Sequence, residues 1–426
     1  MIILGIGTNL GDRLGHLRTA VHFIKKIPRL SVKQVSPVYL SDALLPDNAP
    51  AHWNKPHLNL ALRCETQLSP HEILQQVKDI EKKMGRVSGE RWGPRIIDID
   101  LLAWDDLNFI DETLQIPHKE LFNRPFALWP LQDVAPCWRP NENDKWGSRF
   151  SGDAPFHTRQ IAQRVDAPAL VGIINAAPDS FSDGGNCLDA DNALMRAKQL
   201  VLEGAEIIDI GAEATNPRAT AISAEEEWRR LAPVLQTISA ESANMLIPPK
   251  ISIDTRHFLV AERALASGIS WINDVSGGDN HLMRELLIHH KCDVVIMHHL
   301  GIPVDRNKIL PLEKNPVDQV LEWAKQRLDE LTRQGISRER IIFDPGIGFG
   351  KNSQQCLELI KHVERFQELG TRVLIGHSRK IFLGQFTPRP FIERDIETAA
   401  ISFFLANKPV DYLRVHHVDM QARMIK

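Results

Sequence analysis

The period of the hydrophobic positions divides the chain into two differently built parts. Residues 2–7, 31–39, 57–65 and 96–104 carry the short apolar or alternating runs of strands. Between them, 12–26 and 70–84 repeat with helical period. Ser69, Pro70 and Glu72 supply the second helix with an N-cap, a first-turn proline and the partner of a capping box. The order β-α-β-β-α-β predicts an α+β ferredoxin-like sandwich. Beyond it the pattern becomes regular. Strands are predicted at 170–174, 206–210, 250–253, 270–273, 293–297, 340–343, 372–375 and 412–415. Each is followed by a helical segment: 189–203, 225–240, 257–267, 281–290, 317–334, 353–366, 395–407 and 416–425. This repetition over about 260 residues predicts an α/β (β/α)8 TIM barrel. A doubly wound sheet with two added units is the other architecture it allows.

Residues 141–167 keep neither period. With Pro140 they bring together Asn141, Asn143, Asp144, Gly147, Ser148, Ser151, Gly152, Asp153 and Pro155, a linker composition. The expected domains are therefore 1–140 and 168–426. Composition adds exclusions. A net charge of −3 gives no electrostatic case for a nucleic-acid partner. Five scattered cysteines form no C-x-x-C pair, which argues against a disulfide framework or a zinc site. No run approaches 18 apolar residues, and the apolar start Met1–Thr8 is too short for a signal peptide, so the expectation is a cytoplasmic chain without a membrane.

In the strand at 96–104, Asp98 and Asp100 fall on one face and Ile97, Ile99 and Leu101 on the other. An ordinary strand with a wet face reads the same way. Two carboxylates on one face also suit Mg²⁺, with phosphates and waters completing its shell. Arg86, Arg91 and Arg95 lie just upstream, and His118 and Arg124 downstream. Guanidinium forks match phosphate oxygens, so the group suits phosphoryl or diphosphoryl transfer. Gly346–Asn352 falls short of a Walker A loop, and Gly5–Gly11 has the wrong spacing for a dinucleotide fingerprint.

The run Gly7-Thr-Asn-Leu-Gly-Asp-Arg13, with Leu58-Asn59, Gly85-Arg86, Arg91-Trp-Gly-Pro-Arg95, Asp98, Asp100 and Pro117-His118, resembles the hydroxymethyldihydropterin pyrophosphokinases. The resemblance covers nearly all of 1–138. It implies transfer of a diphosphate from ATP to the hydroxymethyl group of 6-hydroxymethyl-7,8-dihydropterin. It implies Mg²⁺ on Asp98 and Asp100, and ATP phosphates on Arg86, Arg91, Arg95, His118 and Arg124. Asn59 would bond the pterin and Phe126 would stack on it. The chain departs from the family pattern at His57, where an aromatic residue is usual, and in a longer loop, 41–56.

In the second part, polar residues gather at the C-terminal ends of strands, where TIM-barrel active sites form. They are Asn175, Asp209, Thr215, Asp254, Asn273-Asp274, Asp344, the run Gly376–Lys380, Arg414 and His416. A single Asp after a strand reads equally well as a helix cap. So many on one rim point to a ligand. Carboxylates accept paired N–H bonds from an amino-pyrimidinone edge, while Arg414, His416 and Asn175 suit an anion. His298-His299 invites a metal reading, but adjacent strand residues face opposite ways, which argues against it.

Asn175, the run 178–185, Asp344–Lys351, Gly376–Lys380 and Arg414-Val-His416 resemble the dihydropteroate synthases over 168–426. That implies displacement of diphosphate from the pterin methylene by p-aminobenzoate. Asp254, Asn273, Asp344, Lys380 and Arg414 would hold the pterin. Asn175, Thr215, Arg414 and His416 would take the diphosphate, with Mg²⁺ at Asn175. Thr215, Phe349, Ser378 and Arg379 would border p-aminobenzoate, and sulfonamides would mimic it. The loop Glu213–Arg218 departs from the family pattern, with Ala214 and Asn216 replacing its usual serine and arginine. Barrels commonly dimerise through their outer helices, so a homodimer through the barrel domain is a further expectation. A pterin-dependent methyl transferase and a scaffolding role with one domain inactive are the competing readings. The arginine- and lysine-bearing run 378–380 and the intact Asp98/Asp100 pair argue against them.

Overall fold

A computed structural model describes residues 1–87, 93–139, 159–161, 164–176, 190–213, 221–242, 244–305 and 307–425. Arg91, Thr215, Ala214, Asn216 and the run 178–185 lie outside these described residues. The chain divides into two compact units, Met1–Asp166 and Ala167–Lys426.

In the first unit the elements run β1 (Ile2–Thr8), α1 (Arg13–Ile24), β2 (Leu30–Val35), β3 (Tyr39–Ser41), β4 (His57–Thr66), α2 (Pro70–Lys83) and β5 (Asp98–Trp104). The hairpin pair β6 (Phe109–Ile110) and β7 (Gln115–Ile116), then α3 (Pro125–Val134) and β8 (Arg159–Gln160), follow. The main sheet has the order β5-β1-β4-β3-β8, with β2 also on β4. The predicted capping box on α2 is present. The single strand expected at 31–39 is broken into β2 and β3. Pro37 has no N–H to give the ladder, and at the break the Ser36 hydroxyl takes the Ala61 N–H at 2.9 Å. Helix α3 is an addition to the expected elements, and Pro130 stands inside it. It is held by packing: Leu128, Leu131 and Val134 bury against Ile3, Ala61 and Leu102 of the sheet. Part of the expected linker is also structured, because β8 pairs with β3.

The second unit contains β9 (Ala169–Asn175), α4 (Ala190–Glu203), β10 (Ala205–Gly211), α5 (Ala224–Ser242), β11 (Lys250–Asp254) and α6 (Phe258–Ala266). It continues with β12 (Trp271–Asp274), α7 (His281–His289), β13 (Asp293–Met297), α8 (Pro316–Arg333), β14 (Ile341–Asp344) and α9 (Ser353–Lys361). It ends with β15 (Arg372–Ile375), α10 (Asp395–Ala406), β16 (Tyr412–Val415) and α11 (Val418–Ile425). The strands close into a barrel in which β16 returns to β9. That excludes the doubly wound alternative. Helix α9 ends five residues before the expected 366, and a 3-10 segment, Val363–Leu369, continues the chain.

The barrel interior is apolar at one level. Ala169, Val171, Ile207, Trp271, Val295, Ile342 and Leu374 fill it. Two residues further along several strands the inward positions become polar: Asp209, Asn273 and Asp344. The strand pattern thus builds a plugged floor and a polar mouth.

Candidate active sites

In the first unit β1 lies between β4 and β5. Gly7 sits opposite both Asn59 and Asp98, and Gly5 opposite both Ala61 and Asp100. Directly opposed residues share a face. The floor between Asp98 and Asn59 is therefore Gly7, while one step along β1 Leu102 lies over Gly5 and α3 covers Ala61. Side chains are scarce there for a physical reason: a Cβ on Gly7 would lie 3.0 Å from the Asn59 amide oxygen. Asn59 is buried and donates to the Ser41 hydroxyl at 2.9 Å.

Asp98 is gripped by two arginines. Arg86 reaches one oxygen at 2.6 Å and Arg95 the other at 3.0 Å. Burial raises the Asp98 carboxyl, but Arg86, Arg95 and Lys78 outweigh it, so its pKa is lowered. Asp100 moves the other way, pushed up by burial and by the charge of Asp98. His118 is lowered by burial against the pull of Asp100, with Arg124 also opposing its charge. The Arg124 guanidinium stands 5.9 Å from the Phe126 ring. Arg86, Arg95, Asp98, Asp100, His118, Arg124, Asn59 and Phe126 all have described positions, and the first six form one electrostatic group.

Three residues outside the expected set support it. Buried Glu81 bonds Arg86 at 2.5 Å and takes the Ile99 N–H at 2.7 Å, tying α2 to β5. Its signal in the sequence is an acid on the buried stripe Ile73, Val77 and Ile80 of α2. Asn9 accepts the Arg95 backbone N–H at 2.8 Å. His57 is lowered to about 4 by burial and by Arg95 and Arg13, against the pull of Asp98. It therefore stands neutral near pH 7.

In the barrel, Asn175, Gly211, Asp254 and Asn273 are successive partners in one register row. Arg414 reaches across the mouth, bonding Asp209 at 2.6 Å and Asp254 at 2.7 Å. Asp209, expected only as a rim residue, is the hub. It also accepts Asn273 at 3.0 Å and Ser252 at 2.5 Å. Burial raises Asp254, and Arg414 opposes it. Burial likewise raises Asp344, opposed first by Lys380. A Cβ on Gly376 would lie 3.7 Å from the Asp344 carboxylate and 3.8 Å from the Lys380 ammonium, so these groups converge over that glycine. Lys380 bonds the Ile347 carbonyl, sits 4.8 Å from the Phe349 ring, and is lowered to about 8 by burial.

The Ser378 hydroxyl lies 2.9 Å from His416 Nδ1. Burial, then Arg379 and Arg414, lower His416 to about 3. The Arg379 guanidinium is clamped by both Asp395 oxygens at 2.7 Å, on a backbone with φ of 58°. Such a φ is uncommon outside glycine and is tolerated where surrounding contacts impose it. Asn175 is exposed at the end of β9. Asp274 is tied into the turn that follows β12, taking the Ser276 and Gly278 N–H groups, while Asn280 caps α7. His298 and His299 diverge: the first meets Lys351 at 2.8 Å, the second the Ser276 carbonyl at 3.0 Å. Among the described residues, no group of three or more His, Cys, Asp or Glu is placed to hold a metal.

A family model described as 7,8-dihydro-6-hydroxymethylpterin-pyrophosphokinase matches residues 3–136, and one described as pterin binding enzyme matches 171–416. The folate synthesis bifunctional protein of Chlamydia muridarum is 38% identical, over 100% of this chain and 96% of its own length. A protein of that name from Arabidopsis thaliana is 34% identical over 98% of this chain and 93% of its own. A dihydropteroate synthase structure from Anaplasma phagocytophilum, with bound 6-hydroxymethylpterin-monophosphate, aligns with a TM-score of 0.55 at 37% identity. It covers 61% of this chain and 97% of that one.

Proposed function

The chain belongs to the family of bifunctional folate synthesis proteins, and from that premise we propose that its two units catalyse consecutive steps on one pterin. The first moves a diphosphate from ATP to 6-hydroxymethyl-7,8-dihydropterin, leaving AMP. The second joins the pterin methylene to p-aminobenzoate, giving dihydropteroate and releasing diphosphate. The observation that carries this reading is the pairing of two sites with complementary chemistry. One is a flat floor beside arginines and a repelling acid pair, the other a barrel mouth with an internally paired Asp–Arg–Asp array.

In the first site the clearance at Gly7 admits a planar ring, with Asn59 bonding its edge and Phe126 stacking on it. Arg86, Arg91, Arg95, His118 and Arg124 take the ATP phosphates. Asp98 and Asp100 fit Mg²⁺, because they share one face of β5 and Asp100 is pushed up by burial and by the charge of Asp98, a cost that a divalent cation relieves. When bound, Mg²⁺ offsets phosphate charge.

In the barrel, Asp254, Asn273, Asp344, Lys380 and Arg414 hold the pterin. The Asp carboxylates accept N–H bonds from its amino-pyrimidinone edge. Asn175, Thr215, Arg414 and His416 hold the diphosphate, with Mg²⁺ at Asn175. With Ser378 donating to His416 Nδ1, the neutral imidazole carries its proton on Nε2 and offers that N–H as a hydrogen bond to the departing anion. Ser378, Arg379, Phe349 and Thr215 border p-aminobenzoate, where sulfonamides compete. The Arg379 clamp on Asp395 implies that its stem and backbone shape the pocket, while its charge is already paired.

The first activity resides in 1–140 and the second in 168–426, joined through 141–167. Ile381, Phe386, Phe391, Ile392, Ile396 and Phe403 expose an apolar surface along and before α10. A second copy of the chain is its proposed cover, as in a barrel-to-barrel homodimer. Light scattering should give a dimer, and Ile396→Glu with Phe403→Glu a monomer. A cytoplasmic setting fits the free thiols of Cys64, Cys292 and Cys356, all buried. Among the described residues no helix is long and apolar enough to cross a membrane. The activity test is direct: purified chain with the pterin, ATP, Mg²⁺ and p-aminobenzoate should form dihydropteroate and AMP together. AMP without dihydropteroate would remove the second assignment; neither product would remove the first, and failure to form dihydropteroate from supplied pterin diphosphate would then remove the second.

A further inference from the structure

The segment between the two units does more than connect them. We propose that residues 159–161 and 164–166 are a positioning element of the first active site, setting the strand from which its pterin-facing side hangs. This rests on the function proposed for the first unit.

Strand β3 is three residues long, and a strand that short holds its place poorly at a sheet edge. Here it is not an edge. Tyr39 pairs with Gln160 and Leu40 with Arg159, and the Ile161 N–H bonds the Val38 carbonyl at 2.9 Å. The segment is then pinned a second time. Arg18 of α1 donates to the carbonyls of Arg164 at 2.6 Å and Val165 at 3.2 Å. Val165 is buried, and Arg164 is itself fixed on Asp166 at 2.9 Å. A passive connector has no need of two fastenings to the same unit, since loop-closure entropy opposes both.

What β3 carries explains the fastening. Ser41 takes the Asn59 amide at 2.9 Å, fixing how that amide faces the glycine floor. Two residues earlier, the Tyr39 hydroxyl donates to Asp133 of α3 at 2.7 Å. Helix α3 begins at Pro125 and presents Phe126 in its first turn. Both proposed pterin contacts, Asn59 and Phe126, therefore depend on β3. None of Arg18, Ile161 or Val165 lies among the reacting groups.

The test uses the full chain with two separate variants. Arg18→Met removes the clasp, and Ile161→Pro removes the N–H that bonds Val38. In each, KM for the hydroxymethyldihydropterin should rise roughly tenfold while kcat stays within about twofold. KM for ATP should be unchanged, as should dihydropteroate formation from supplied pterin diphosphate. An unchanged pterin KM in both variants would overturn the proposal. So would a fall in kcat of both reactions together, the mark of general unfolding. If the unaltered chain lacks pyrophosphokinase activity, the functional reading fails instead. Amide hydrogen exchange then decides the positioning claim. It should quicken at 39–41 and 125–134 in the variants, and unchanged exchange there overturns it.

Discussion

On the first sheet two carboxylates share a face, and the second, Asp100, is pushed up by burial and by its neighbour. In the barrel two carboxylates also approach, but Arg414 stands between Asp209 and Asp254 and bonds both. Both places use a glycine in the register row, Gly7 or Gly211, to clear space between polar side chains. They differ in where the balancing charge comes from. The barrel carries its own counter-ion, whereas on the sheet we propose that part of the negative charge is left for a cation that arrives with substrate. A site of the first kind depends on its ligand for neutrality, and one of the second kind depends on its own arginine for stability.

The largest expected effect follows from removing that arginine. Arg414→Met leaves Asp209 and Asp254 as buried carboxylates without their cation, and such a loss costs about 3–5 kcal/mol. The barrel's unfolding transition in denaturant should shift by that amount while the transition of the first unit stays put. A barrel shift below about 1 kcal/mol would erase the contrast. Chelation comes next. Stripping divalent cations should lower pyrophosphokinase turnover by about 100-fold or more, and synthase turnover from supplied pterin diphosphate by less than about tenfold. Equal losses would mean that the two sites balance charge alike.

Much of this was legible in the sequence. The eight strand–helix pairs appear within a few residues of their expected places because strand and helix periods are local. The acids at strand ends were legible because strand ends define a barrel rim. Residues whose role depends on distant partners were not. Glu81 looks like any acid on α2 until β5 brings Ile99 to it. Asp209 looks like a rim residue until Arg414, Asn273 and Ser252 meet on it. Helix α3 contains Pro130, whose lost hydrogen bond is outweighed by packing on the sheet. Arg379 is expected beside p-aminobenzoate, and its pairing with Asp395, sixteen positions away, shows only once the fold brings the two together.

A smaller effect sharpens the barrel side. Burial raises the Glu227 carboxyl to about 8, and its Oε1 has no hydrogen-bond partner among the described residues. The folded protein keeps a proton there that the unfolded chain gives up in the ordinary carboxylate range. Barrel stability should therefore fall as pH rises from that range towards 8, then level off. Glu227→Gln should flatten this slope in thermal melts taken across the same pH series. An unchanged slope would show that Glu227 ionises normally. Smallest is Ser41→Ala, which deprives the Asn59 amide of its acceptor. It should weaken pterin binding by about 1 kcal/mol in titration calorimetry and leave ATP binding unaltered.

The division of labour between the two units is tested most directly by one rescue. The variant Asp98→Ala, Asp100→Ala is incubated with hydroxymethyldihydropterin, ATP, Mg²⁺ and p-aminobenzoate, and dihydropteroate is measured. The account predicts at least an approximately 1,000-fold loss, fully restored when pterin diphosphate replaces the pterin and ATP. A folded variant that forms dihydropteroate at the normal rate, or that supplied pterin diphosphate fails to rescue, would contradict it.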